Sequence, residues 1–207
     1  MDTIDVSKES DFIVTTYFEN VDKVCPNISR DTLKKWKRKI YERASNCLIA
    51  RRFVLPAPGL SFLAFYSDKP IVGADMWCVK GLSDEDAKIL ALWFNSTLNL
   101  LQVYVLRTLD TWMKIHDYTL REFLTLDTTK LDPDARKELL ELFNEVGTVK
   151  LPSILQQLKQ NHPTRRKIDK TILKILGFDE KEIDECLDEL YTLLADEIER
   201  LRIFMKL

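Results

Sequence analysis

The segment 83–107 leaves the chain the least freedom. Ser83 followed by Asp84, Glu85 and Asp86 supplies a hydroxyl cap and an acidic first turn for a helix. The residues behind that start (KILALWFNSTLNLLQVYVLR, 88–107) are apolar on nearly every helical face. A helix with no polar face has nothing to offer solvent, so the spacing predicts one long helix to about Arg107 at the centre of the core. Lys88, Asn95, Ser96, Thr97, Asn99 and Gln102 interrupt it, and it falls short of the roughly 20 mainly apolar residues of a membrane span. The 207 residues, 45% of them hydrophobic, suffice for one ordinary core or for one core and a small satellite.

The polar triplet Asn95-Ser96-Thr97 lies in the middle of that helix. Small polar side chains at such a place bond carbonyls one turn back or bend the helix. A buried amide is costly unless satisfied, so the triplet marks a specific packing or backbone contact.

Around this helix the hydrophobic period changes several times. Residues 12–18 (FIVTTYF) read as a strand ended by Pro26 and Asn27. Ser29 or Asp31 caps a basic amphipathic helix to about Ser45, with Leu33, Trp36, Ile40 and Ala44 on its apolar face. Short apolar runs at 47–55, 60–66 and 76–79, punctuated by Pro56, Pro58, Gly59, Pro70 and Gly73, predict a small sheet. The segment 111–116 (TWMKIH) fits a strand or an exposed loop. From Asp132 the pattern is helical: Pro133 in a first turn, a break at Gly147, a helix from Pro152, and another from about Thr164 to Leu176 stopped by Gly177. A last helix from Asp179 carries Ile183, Leu187, Leu190, Leu194, Ile198 and Leu201 on one stripe. The expected fold is α+β: a small mixed sheet with a basic helix and a buried central helix (1–130), followed by a helical C-terminal region (131–207).

Net charge is −2, but it is unevenly spread. Residues 29–52 hold nine basic and two acidic side chains, a net of +7, whereas 179–199 hold ten acidic residues and one lysine, a net of −9. Only the first region attracts phosphate. Lys34, Lys37 and Arg38 fit a phosphate-facing helix as well as an ordinary wet face. Arg51-Arg52, at the end of an apolar run, reads either as an ordinary pair with one arginine solvated and the other salt-bridged, or as one guanidinium reaching phosphate or a guanine edge. Arg165-Arg166-Lys167 touches phosphate or lies on an exposed turn.

The five glycines form no phosphate-cradling loop, the four cysteines form no short ligand pair, and His116 and His162 have no nucleophile suggested by any motif. An independent active site, a cofactor or a metal in this chain is therefore not expected. The start MDTIDVSKESD lacks the apolar stretch of a secretory signal, which leads to an expected cytoplasmic location and no membrane partner.

The words LIARRF, FLAFYSDKPIVGADMWCV and ALWFNSTLNLL, then Trp112 just past the helix, resemble the target-recognition region of N-6 adenine-specific DNA methyltransferases of restriction-modification systems, of type I and fused type II organisation. The tail RRKIDKTILKILGF with CLDELYTLLADEIERLR is similar to the ending of the same proteins. The family often places glycine shortly before the tryptophan, where this chain has Leu109-Asp110-Thr111. The resemblance implies a module that reads double-stranded DNA. It implies a methyltransferase catalytic domain or subunit as partner, S-adenosylmethionine in that domain, and extrusion of the target adenine from the duplex. The matching positions that would contact DNA are Arg51, Arg52, Asn95, Trp112 and Lys114, beside the basic-helix residues Lys34, Lys37 and Arg38. The rival readings are a protein–protein interaction module without DNA contact and an enzyme with its own small-molecule site.

Overall fold

The computed structural model describes residues 29–73, 75–107 and 113–206. The strand expected at 12–18 and the side chain of Trp112 lie outside the described residues, as do the side chains of Leu33, Trp36, Lys37 and Ile40 within the basic helix.

Helix α1 (Arg30–Arg43) starts where a hydroxyl is available to cap it, the Ser29 Oγ accepting from Thr32 N at 3.2 Å. It runs into β1 (Ser45–Ala50), the middle strand of a three-stranded sheet in the order β3-β1-β4, with β3 at Ala64–Ile71 and β4 at Met76–Val79. Both pairings are antiparallel, so the sheet is not mixed. Pairing of β1 with β3 slips between Ser45 and Cys47, which stand opposite Ile71 and Tyr66. The surplus residues curl β3 so that Ile71 packs on Leu48, forming a small second cluster with Phe65, Met76 and Cys78. The link back to β4 passes so close that a Cβ at Gly73 would fall 2.6 Å from Met76 Cβ. A two-residue ladder, β2 (Arg52–Phe53) with β5 (Met113–Lys114), extends the sheet end. Residues 111–116 therefore include a strand, and 60–63 fall outside the strand expected there.

The long central helix is two helices. Helix α2 (Asp84–Asn95) begins at Ser83, whose Oγ accepts from Asp86 N at 3.1 Å, and α3 (Thr97–Val105) begins one residue after α2 ends. Ser96 is extended, at φ −68° and ψ 159°, and serves as C-cap of one helix and N-cap of the next. Its hydroxyl donates to Trp93 O at 2.7 Å and accepts from Asn99 N at 3.2 Å. Burial of α2 is as expected: Ile89, Leu90, Leu92, Trp93 and Phe94 are all in the core. Each such side chain contributes about 1.5–3 kcal/mol relative to exposure.

The break is held open by polar side chains from distant segments. Asn95, 3% exposed, accepts from Leu63 N (2.8 Å) and Ala64 N (3.0 Å) and donates to Ala64 O (2.8 Å) and Ala91 O (2.9 Å). It thus supplies hydrogen bonds to the start of β3, an edge strand with β1 as its one strand neighbour. Thr97 donates from N and Oγ1 to the two oxygens of Asp169, at 2.7 and 2.5 Å, and Tyr191 OH donates to the same carboxylate at 2.5 Å. Burial pushes the Asp169 carboxyl and the Tyr191 hydroxyl up from their ordinary values, so the tyrosine keeps its proton and remains a donor. Arg165, 3% exposed, donates to Asn95 O, Thr97 Oγ1 and Gln157 Oε1, and Gln157 Nε2 donates to Ser61 O and Pro152 O.

Those partners come from the C-terminal helices. After α4 (Asp117–Glu122) and a short 3-10 turn at Thr128–Lys130 follow α5 (Pro133–Val146, capped by Asp132), α6 (Ile154–Lys159, capped by Ser153), α7 (Pro163–Ile175) and α8 (Glu180–Met205, capped by Asp179). Gly177, at φ +88°, ends α7 as anticipated, with Phe178 N donating to Leu173 O at 3.1 Å. The stripe of α8 is seated as the spacing predicts, with Ile183, Leu187, Leu194 and Ile198 buried. One contiguous apolar core runs from Cys47 on β1 to Ile198 on α8.

Arg136 on α5 binds the acidic first turn of α2, Glu85 at 2.8 Å and Asp86 at 2.9 Å. Partial burial pushes the Asp86 carboxyl up, but hydrogen bonds from Ser83, Arg136 and Thr128 outweigh it and leave its pKa below the ordinary value.

Replacing Asn95 by alanine strands two buried N–H groups and a carbonyl and is expected to cost about 3 kcal/mol or more in urea unfolding. Ser83→Ala, the loss of one exposed cap, costs about 1 kcal/mol. Because the folded Asp86 pKa is depressed, its contribution is present above the unfolded pKa and lost as pH falls through the folded value. The difference in melting temperature between the wild type and Arg136→Met should therefore shrink on acidification through the carboxylate range.

Candidate nucleic-acid interface

The end of β1 away from α1 is where basic side chains gather. The Arg52–Phe53 pair lies antiparallel to Met113–Lys114, with Arg52 opposite Lys114 and Phe53 opposite Met113. Strand alternation puts Phe53 and Met113 into the core and leaves Arg52 and Lys114 on the outward face. The ladder continues by one bond, Ile115 N to Arg51 O at 2.9 Å, so buried Ile115 points inward and His116 outward, in line with Lys114.

Trp77 fixes this corner to the main sheet. It pairs with Ile49 across β4 and β1, and its indole N–H donates to Ile115 O at 3.0 Å. Its ring carries the Arg51 guanidinium, whose Cζ lies 4.9 Å from the ring centroid. Arg51 Nε is buried and bonds to no described residue, while Arg51 N donates to Asp75 O at 2.8 Å. Neighbouring Arg51 and Arg52 are thus separated in role: one lies over tryptophan, the other joins the outward row.

That row carries no ion pair among the described residues. Among the described residues Arg51, Arg52 and Lys114 form no ion pair, and two like charges stand directly opposite each other, an arrangement that costs stability by itself. Several basic side chains of the C-terminal helices, by contrast, are engaged. Arg107 packs on Tyr104, which bonds Glu197; Arg166 holds Asp184 and Asp188; Lys167 holds Glu145; Lys159 holds Glu199. The Arg165-Arg166-Lys167 group, read as a phosphate contact or an exposed turn, is instead spent on the fold, Arg165 inside it and its two neighbours on ion pairs.

The structure sorts the remaining candidates as follows. Asn95 is withdrawn from the surface, because its amide is committed on both sides to backbone groups of α2 and β3, so it positions the scaffold and does not face a duplex. Lys34 and Arg38 are exposed on α1, with Arg38 bonded to Glu42 one turn on; the side chain of Lys37 lies outside the described residues. Helix α1 ends at one end of β1 and Arg51 leaves from the other, about 20 Å of extended chain away. The +7 segment is accordingly divided by β1 and is not one continuous patch.

Three side chains of this corner, Trp77, His116 and Tyr118, were not read from sequence as part of a DNA-facing site. Trp77 sat inside an apolar run, and its role depends on the register of β4. His116 stacks on Tyr118, ring centroids 5.0 Å apart and planes 11° off parallel, and the two are separated by a single residue whose bend into α4 brings them together. Comparison with protein-family models, curated proteins and solved structures finds no match for the chain. Among the described residues no helix is long and apolar enough to cross a membrane.

If Trp77 ties β5 to the sheet, Trp77→Phe, which keeps a smaller aromatic ring and loses the N–H, should speed amide exchange at Ile115 well above the change at Leu48. Equal exchange at both positions in variant and wild type would refute that role.

Proposed function

We propose that the chain is a DNA-recognition module of a restriction-modification system, gripping double-stranded DNA while an adenine-specific methyltransferase catalytic domain or subunit, holding S-adenosylmethionine, carries out the chemistry. The observation that supports this reading is the Arg52–Lys114 pair: two cations set opposite each other by strand register, neither of them in an ion pair among the described residues. A duplex phosphate between them would remove the repulsion and release its own counterions. Arg51, pressed on Trp77, presents a guanidinium whose orientation is already restricted, the form in which a planar fork reads phosphate or a guanine edge at least entropic cost. Lys34 and Arg38 on α1 form a second basic group at the other end of β1, so the grip on the backbone is two-handed. Cofactor and catalytic residues are assigned to the partner and not to this chain.

The expected result for Arg52→Gln with Lys114→Gln is a duplex affinity whose salt dependence flattens by about two charges, at about 0.9 log units of slope per phosphate contact. Lys34→Gln with Arg38→Gln gives a similar but independent flattening. A titration across salt concentrations in which neither pair changes the slope removes the assignment.

A second reading has its own observation. Leu193, Ile203 and Phe204 on α8 are large, apolar and exposed, which suits a protein-docking helix without DNA contact. Capture of a partner that survives nuclease treatment, with no oligonucleotide bound at low salt, would favour it.

A further inference from the structure

The geometry points to a stacking subsite for an unpaired nucleobase on Tyr118, placed beside the Arg52–Lys114 phosphate grip; it rests on the DNA-binding reading above and deepens it. The outward row of β5 reads cation, then aromatic: Lys114 and His116 share a face, because Met113 and Ile115 between and before them are buried. His116 caps α4 through its carbonyl alone, with no side-chain capping bond, so its imidazole is free to lie flat against Tyr118.

Tyr118 is 54% exposed and has one ring face covered by His116. A phenol held on one side and open on the other is a platform already fixed in orientation, and it loses little further freedom when a flat ligand covers it. Nucleic-acid strands alternate phosphate and flat base, and proteins that hold unstacked bases meet that alternation with cations beside aromatic rings. Here Arg52 and Lys114 supply the first and Tyr118 the second. Bases inside an intact duplex are stacked on each other and present no open face. The subsite therefore selects a single strand, or a base that has left the helix, and duplex binding through the cations does not depend on it.

The test uses the full chain and two fluorescent probes containing 2-aminopurine, one single-stranded oligonucleotide and one fully paired duplex. For the wild type, binding should quench the single-stranded probe. Tyr118→Leu should lose that quench and weaken single-strand binding about tenfold, with duplex affinity unchanged. Tyr118→Phe should restore both, since the ring and not the hydroxyl is required. Arg52→Gln with Lys114→Gln should weaken both probes, which marks the parent reading. Wild-type behaviour of Tyr118→Leu on the single strand, or an equal loss on both probes, overturns the stacking subsite while the cation grip stands. Absence of binding to either probe by the wild type overturns both. Thermal melts of the variants confirm that the exposed Tyr118 substitution leaves the fold intact.

Discussion

The carboxylate of Asp169, accepting from the backbone and hydroxyl of Thr97 and from Tyr191, is the contact on which the remaining architecture leans. Where α2 stops and α3 starts, backbone groups that a continuous helix would satisfy internally are left open in the middle of an apolar core. Leaving them without partners would be prohibitive. Asp169 takes the opening amide of α3, Arg165 takes the closing carbonyl of α2, and Asn95 turns the other way to the start of β3. Burying an arginine and an aspartate together is itself expensive, and the cost is tolerable only because every one of these atoms has a partner within hydrogen-bond distance.

This arrangement explains how a short ladder of two residues per strand holds a defined shape. Asn95 fixes Leu63 and Ala64, from which β3 departs; β3 fixes β1, and β1 delivers Arg51 and Arg52 at its far end. Trp77 then ties the returning strand β5 to the same sheet. The outward row Arg52, Lys114 and His116 is therefore mounted on the core through a chain of backbone contacts. Side chains on such a mount keep their geometry better than side chains on a free loop.

Much of this was legible from residue order alone. The cap at Ser83, the helix starts at Asp132 and Asp179, the first-turn Pro133, the stop at Gly177 and the buried stripe of α8 obey local rules, and local rules need only neighbouring residues. The triplet Asn95-Ser96-Thr97 announced an unusual place, and Asn95 does bond Ala91 one turn back, but the break could not be read. Its cause is Asp169, 72 residues away from Thr97, together with Arg165, which looks like one more surface cation in a basic run. The same limit hid the division of Arg51 from Arg52 and the opposition of Arg52 and Lys114, because register between strands more than sixty residues apart is set by packing and not by pattern. His116 and Tyr118 meet only because the chain bends from strand into helix between them.

The tie between Thr97 and Asp169 also has a bearing on how the polypeptide is born. Translation delivers the chain in order, and by the time Thr97 leaves the ribosome its acceptor has yet to be synthesised. Until α7 emerges, the seam between α2 and α3 sits among greasy side chains with its amide and carbonyl exposed to competition. The nascent polypeptide therefore passes through an interval in which its most apolar stretch is unsatisfied. A holdase-type chaperone would find its best purchase there, and slow codons placed before α7 would lengthen the exposure.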